Sequence, residues 1–243
     1  DKLRRLIADS IHDTSKREAS LLSLARRDLT DAVFTGTDLR YTDFKDARLV
    51  RANFSNAWLT GSRFDGAAGD FAVFDSAGLE GCFFHRAGLS GGNFYRSRMN
   101  GARFVDAKLQ KADFRDSALR GAHFSSATLN EADFTNADLQ GAFLLDAQLQ
   151  CAVLDNAKLQ GASLTTAKLQ VASLHNANLE GASLLGTDVS RVRGTPSLQS
   201  TEMKGLTHDS SPGDNDCKDD KTGSQPKQGI LDRRFWESAP AAP

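Results

Sequence analysis

Residues 102–121 read ARFVDAKLQKADFRDSALRG, and every fifth residue of this stretch is large and apolar: Phe104, Leu109, Phe114 and Leu119. The same register runs from Phe34 to Val189, where only Gly69 among 32 positions departs from it. Two residues before each large residue lies a small one, which is Ala at 24 of the 32 positions. This five-residue period decides the fold, because chance does not hold one register over so long a stretch.

The period of five fits neither a regular helix nor a flat strand, whose apolar residues recur at about 3.6 and 2 positions. Within one unit, however, the small and the large residue are two positions apart. They therefore face the same side of a short extended segment, while the other three residues point outward or turn the chain. Short extended segments joined by turns without interruption predict a β-solenoid.

A second period indicates how many segments make one coil. Glycine recurs at intervals of 20 residues, at the second position after a large residue: Gly61, Gly81, Gly101, Gly121, Gly141, Gly161 and Gly181. Glycine adopts positive φ without a steric penalty, so this position predicts a corner. Four segments per coil follow, and the 32 segments predict about eight coils.

The repeat units resemble those of the pentapeptide-repeat family. Ala132–Asn136 and Ala137–Gly141 match the family motif directly, and the resemblance covers residues 31–191. It implies an all-β solenoid, specifically a right-handed quadrilateral β-helix. Because members of the family have many roles, the resemblance implies little about function.

The core of this solenoid is predicted to contain stacked phenylalanines. Eleven of the 15 Phe residues lie in the five-residue register, on the first and third of the four faces, so we expect two interior columns of rings. Gly69 is the one vacancy in the register, and Phe71 is a candidate to fill it. If the backbone there is regular, we expect Gly69→Leu to be neutral or stabilising.

The two ends of the chain depart from the repeat. Residues 1–30 are predicted to form a short α-helical segment, on the pattern of a capping box at Ser15–Glu18, and to act as a cap or as a joint to another domain. Residues 192–243 are predicted to be a polar, largely flexible tail. Its apolar cluster at 230–236 is interpreted as a cap on the solenoid, as a docking segment, or as having no role.

Composition and motifs argue against catalysis. The 243 residues carry a formal net charge of −1, five His and three Cys, without metal-ligand spacing, a phosphate-binding loop or a nucleophile elbow. We therefore expect no enzymatic activity, no cofactor, no metal and no direct binding to nucleic acid. We also expect no membrane span and a bacterial, cytoplasmic location, with secretion or membership of a larger protein left open.

Two surface features remain as candidate sites. The first is a set of outward apolar residues that are candidates for partner binding. Five share the third face, namely Phe83, Val105, Phe143, Leu145 and Leu185, and Trp58 lies on the second face. Residues 91–120 contain seven basic side chains and three Asp, and the basic side chains form a predicted band: Arg96, Arg98, Arg103, Lys108, Lys111, Arg115 and Arg120.

Three functions fit these features. The leading one is a non-catalytic protein–protein interaction scaffold, with a homodimer through an end or the third face as one form of it. The resemblance implies a second, in which a DNA-mimicking rod binds DNA gyrase and gives resistance to quinolone-type inhibitors. Residues 31–190 hold 18 acidic and 15 basic residues, too near neutrality to imitate a phosphate backbone. The third is a secreted effector or an accessory domain of a larger bacterial protein.

Overall fold

Each five-residue unit forms one side of a four-sided coil in the computed structural model, which describes residues 22–207, Phe235 and Trp236. Successive coils are joined by single parallel bridges between residues 20 apart, beginning with Ser23 and Asp43. Between residues 22 and 207 these isolated bridges replace longer strands, and no helix interrupts them. The bridges continue to Asp188 and Thr207, which gives about nine coils and confirms a β-solenoid.

The four faces are named by the large residues that they direct into the core. The first face contains Phe34, the second Leu39, the third Phe44 and the fourth Leu49, and each series continues at 20-residue intervals. The residue before each large residue forms the bridge and points outward, as does the residue after it. Every face therefore presents two outward columns of side chains.

Backbone hydrogen bonds connect the coils on every face. On the third face, the Phe64 amide donates to the Phe83 carbonyl at 2.6 Å, and the Phe83 amide donates to the Ser62 carbonyl at 3.0 Å. This pattern repeats along the rod and satisfies the backbone groups of each short segment. The rigid register that results places outward side chains one above another.

The corners from Arg26 to Arg191 share one backbone geometry. From Arg26 to Arg191, every fifth residue has positive φ, between 53° and 70°. The Ala32 amide donates to the Leu29 carbonyl across Asp31, the pattern of a type II turn with positive φ at its third residue. The glycine corner predicted from the sequence is therefore one of four equivalent corners, most of which use other residues.

The two phenylalanine columns form as predicted. On the first face, rings from Phe34 to Phe134 stack with centroids 4.7–5.0 Å apart. On the third face, rings from Phe44 to Phe124 stack at 4.6–4.9 Å. Rings of the two columns meet edge to face, as between Phe54 and Phe64 at 5.8 Å. The core therefore combines the two favoured geometries of aromatic pairs.

The vacancy at Gly69 is not an empty space. Its backbone is regular, since its amide donates to the Gly88 carbonyl at 2.6 Å. A Cβ atom added there would lie 2.9 Å from Leu89 Cδ2 and 3.3 Å from Leu49 Cβ, so leucines of the neighbouring coils occupy the space. Phe71 does not fill it, because its side chain is 62% exposed. The expectation that Gly69→Leu is neutral or stabilising stays a prediction, and the contacts with Leu89 and Leu49 argue against it.

The N-terminal boundary needs a correction for residues 22–30. The sequence predicts helix there, but Ser23 and Asp28 form bridges to the next coil, and Leu24 and Leu29 are buried. The cause of the error is Arg27, which occupies the slot that Ala fills elsewhere and so hides the repeat. Residues 1–21 of the predicted cap lie outside the described residues.

The C-terminal boundary also moves. Residues 192–207, assigned to a flexible tail, continue the coil through bridges such as Asn178 to Ser197. These partners are 19 residues apart, because the corner near Gly194 is one residue shorter. Gly194 has φ 105°, and a Cβ atom there would overlap the backbone of Leu174 and His175. Only glycine fits this corner, and the shortened unit conceals the repeat in the sequence.

Two residues of the predicted apolar cluster at 230–236 are described. Trp236 is 2% exposed and belongs to the hydrophobic core, and Phe235 packs against it edge to face at 5.4 Å. The rest of the cluster and of the tail lies outside the described residues. A C-terminal cap stays a prediction, with the burial of Trp236 in its favour.

Candidate functional site

The predicted apolar residues of the third face lie on two adjacent outward columns. We call their twelve members the third-face strip. The bridge column consists of Phe83, Arg103, His123, Phe143, Ser163 and Ser183. The column beside it consists of His85, Val105, Ser125, Leu145, Thr165 and Leu185. The solenoid register therefore gathers side chains from a hundred residues of sequence onto one surface.

Side chains of neighbouring coils contact one another at two places along the bridge column. Arg63, one coil before the strip, and Arg103 hold their guanidinium carbons 6.0 Å and 5.3 Å from the ring centroid of Phe83. The Phe83 ring is thus enclosed between two cations and only partly exposed. Cation–π contacts at exposed sites contribute about 0.5–1 kcal/mol each, so they favour this arrangement of Phe83 and its two arginines.

The next part of the column is a stacked ring pair. The imidazole of His123 lies against the phenyl ring of Phe143, with ring centroids 4.5 Å apart and an interplanar angle of 22°. Burial lowers the pKa of His123, and the charge of Arg103 lowers it further. His123 is therefore neutral at neutral pH and adds an aromatic surface to that of Phe143.

Within the strip, the most exposed apolar residues are Phe143 and Leu145. They are 45% and 43% exposed, whereas Val105 and Leu185 are partly buried in the same surface. Exposed large apolar residues in contiguous positions are typical of interaction sites. The structure thus brings together five of the six predicted partner-binding residues.

Trp58, the sixth, lies apart from this surface. It is on the second face, 57% exposed, with the guanidinium of Arg40 5.7 Å from its ring centroid. The exposed residues Tyr41 and Phe71 were missed as surface candidates in the sequence. Tyr41 lies over Gly61 and Phe71 lies over Gly91, each one coil further along the chain. An aromatic residue followed by a corner glycine 20 positions later is therefore the sequence signal for such a residue.

The strip borders a corner without side chains. Gly121, Gly141 and Gly161 lie between the second and third faces, and a Cβ atom added at any of them would meet nothing within 4 Å. Positive φ explains the glycines, and the open space around them leaves Gly161 exposed and Gly121 and Gly141 partly exposed. A partner docked on the strip can approach the rod closely along this edge.

The predicted basic band is a ring around the rod and not a patch. Its seven residues extend over slightly more than one coil, so the register distributes them over all four faces. Four of them form ion pairs with neighbouring carboxylates: Arg98 with Glu80, Lys111 with Glu131, Arg115 with Asp113, and Arg120 with Asp138. The band therefore presents far less free charge than its sequence indicates.

Two residues that contact rings of the strip, Arg63 one coil before it and His123 within it, were not predicted as site residues. Their signal in the sequence is the 20-residue spacing, which aligns both of them with Phe83 and Phe143. Among the described residues, no group of three or more His, Cys, Asp or Glu is placed to hold a metal ion. The same part of the chain contains no helix long and apolar enough to cross a membrane.

The sequence matches family models along most of the solenoid. A model of pentapeptide repeats matches residues 28–66 and 147–186 with eight copies, and a model of a pentapeptide repeat region matches 77–151. A comparison with curated proteins gives no significant match.

Several solved structures resemble this one. HetL, a pentapeptide repeat protein involved in heterocyst differentiation regulation from the cyanobacterium Nostoc sp. strain PCC 7120, is 28% identical, with a TM-score of 0.51 and coverage of 84% of this chain and 92% of HetL. QnrB1, a plasmid-mediated fluoroquinolone resistance protein, is 18% identical, with a TM-score of 0.47 and coverage of 73% and 90%. A pentapeptide repeat protein of the Arabidopsis thaliana thylakoid lumen is 26% identical, with a TM-score of 0.20 and coverage of 59% and 72%.

Proposed function

Because the chain belongs to the pentapeptide-repeat family, we propose that it is a non-catalytic scaffold that binds another protein through the third-face strip. The observation that carries this proposal is the exposed surface of Phe143 and Leu145, which lies on the same two columns as Phe83. Burial of such a surface favours association at about 25 cal/mol per Å² of apolar area, before the costs of binding. The same family membership supports right-handed winding of the coils.

Preorganisation is the physical advantage of this site. The backbone ladder is regular, and Phe83, Arg103, His123 and Phe143 contact side chains of neighbouring coils, so these residues lose less conformational entropy on binding than unsupported side chains would. The flat face and the adjoining glycine corner suit a partner that lies along the rod. Among the twelve residues of the strip, no hydroxyl or thiol is paired with a base as a catalytic nucleophile would be. The strip is therefore suited to non-covalent binding.

The gyrase-binding alternative receives no support from this surface. A rod that imitates DNA needs a run of carboxylates in place of phosphates, whereas the third-face strip contains none. The likeness to QnrB1 is a likeness of fold. A homodimer through the same strip remains an alternative, and the mass of a crosslinked adduct distinguishes it from a complex with another protein.

Site-specific photo-crosslinking in the native cell tests the proposal. Phe143 is replaced by p-benzoylphenylalanine, and the same replacement at Phe71, an exposed aromatic residue at a corner outside the strip, is the matched control. We expect a discrete protein adduct from position 143 alone, lost when Leu145→Ser is added. An adduct of twice the chain mass identifies a homodimer, and no adduct, or the same adduct from both positions, contradicts the proposal.

A further inference from the structure

The third-face strip contains a single charged side chain. Of its twelve outward positions, only Arg103 is Lys, Arg, Asp or Glu, and the others are aromatic, aliphatic, hydroxylated or His. One coil before the strip, the same two columns carry Arg63 and Asp65, which form an ion pair with each other, so within these coils Arg103 is the charge without a carboxylate partner. The position of this charge therefore indicates what kind of partner the strip accepts.

Arg103 also differs from most of the basic band in its contacts. Whereas four members of the band pair with carboxylates, Arg103 has none within hydrogen-bond or ion-pair distance in residues 22–207. Its guanidinium instead lies on the ring of Phe83, 5.3 Å from the centroid. The Phe83 ring covers one face of the Arg103 guanidinium, and the N–H groups at the edge of the guanidinium remain available as donors.

The distance to the apolar area completes the pattern. Arg103 and Phe143 are two coils apart on one column, joined by the bridges through His123. With about 4.8 Å between coils, the guanidinium and the apolar area are separated by about 10 Å along the rod. A single short segment of a partner can contact both at once.

We propose, on the basis of the function proposed above, that the partner is a protein segment that places a carboxylate on Arg103 and an apolar side chain on Phe143 and Leu145. Docking removes water from the guanidinium, and a carboxylate then supplies the charge-assisted hydrogen bonds that the rod itself does not. The apolar contact supplies most of the affinity, and the charge supplies direction and specificity. An acidic–apolar segment fits, whereas a basic or neutral one leaves Arg103 buried without a counter-ion.

A selection experiment on the full chain tests the proposal. Random 16-residue peptides displayed on phage are selected on the immobilised protein, and those that win are synthesised and measured by fluorescence anisotropy. We expect Asp or Glu together with Leu, Phe or Trp to be enriched. Arg103→Ala should weaken these peptides about tenfold, the loss typical of one hydrogen-bonded charge pair.

The matched control is Arg96→Ala. Arg96 is also exposed, also lies on an aromatic ring, 4.8 Å from the centroid of Tyr95, and belongs to the same basic band. Its replacement should change peptide affinity less than twofold. Arg103→Glu should reverse the selection toward peptides with Lys or Arg, and circular dichroism confirms that each variant keeps its fold.

The outcomes separate this inference from the proposed function. Peptides that lose binding with Phe143→Ser but not with Arg103→Ala overturn the inference and leave the scaffold standing. Peptides that bind equally well to the Phe143→Ser variant contradict both, as does a selection that yields no binder. Fluorescein-labelled oligothymidylate that binds with dependence on Arg103 makes the partner a nucleic acid, which also overturns the inference.

Discussion

The imidazole of His123 stacks on the phenyl ring of Phe143, with their centroids 4.5 Å apart, on the outer surface of a rod whose core rings stack at nearly the same spacing. The same register produces both arrangements, because residues 20 apart face one another across adjacent coils. Inside, the stacking stabilises the fold. Outside, it holds Phe143 in place with almost half of its surface exposed.

The stability of the rod should depend on pH through His123. Burial, and then the charge of Arg103, lower the pKa of His123 below its ordinary value of 6.5. The unfolded chain therefore binds this proton more readily than the folded protein. Full stability is present above about pH 6.5, and it should fall as the pH drops from there through the lowered pKa. We expect a lower melting temperature at pH 5 than at pH 7.5.

Two variants isolate this contribution. His123→Gln removes the titrating group and should flatten the fall in melting temperature between pH 7.5 and pH 5. Arg103→Gln removes the smaller of the two causes and should flatten it in part. An unchanged pH profile in His123→Gln would show that other groups are responsible.

Gly69→Leu should destabilise the protein by about 1–3 kcal/mol, the usual cost of an overpacked core. The added side chain would compete with Leu89, whose Cδ2 atom would lie 2.9 Å from the new Cβ. Chemical denaturation followed by circular dichroism measures the change. The exchange Gly69→Leu with Leu89→Gly keeps the total volume and should recover part of the loss. A neutral single variant would mean that Leu89 moves aside freely.

The core of this fold was readable from the sequence because the repeat is nearly invariant there. Phe34 and its successors occupy a slot that admits only large apolar residues, so a period of five and a period of 20 together define both phenylalanine columns. The ends were misread where single residues break the pattern. Arg27 replaces a small residue in an incompletely enclosed first coil, and the corner at Gly194 is one residue short.

The candidate site was only partly predictable, because the outward columns tolerate many residues. The register correctly placed Phe83 and Phe143 on one face. Their exposure differs because of neighbours: Arg63 and Arg103 enclose Phe83, whereas Phe143 has a ring on one side and Ser163 on the other. The conformation of long arginine side chains is not encoded in a five-residue pattern.

Because every corner requires positive φ, the residue at a corner should affect the stability of the protein according to its type. Val171 is β-branched and has φ 61°, a conformation that costs an L-residue about 1–2 kcal/mol. Val171→Gly removes that cost and adds less than about 1 kcal/mol of entropy loss, so we expect an equal or higher melting temperature. The reverse change at another corner, Gly161→Val, should lower it. No contact explains that loss, since a Cβ at Gly161 meets nothing within 4 Å.

The thiol of Cys82 should be inert in the folded protein. Cys82 is fully buried in a slot that is Ala in most units, and burial raises its pKa to about 12. Its Sγ donates to the Leu59 carbonyl at 2.9 Å, in the same way that the Ser62 hydroxyl donates to the Leu39 carbonyl at 2.7 Å one coil earlier. Iodoacetamide at pH 8, read by peptide mass spectrometry, should modify Cys82 only after denaturation. Because serine makes this hydrogen bond at the equivalent position, Cys82→Ser should change stability by less than about 1 kcal/mol. Rapid modification of the native protein would mean that the coils separate locally at this point, contrary to the continuous ladder that holds the third-face strip in place.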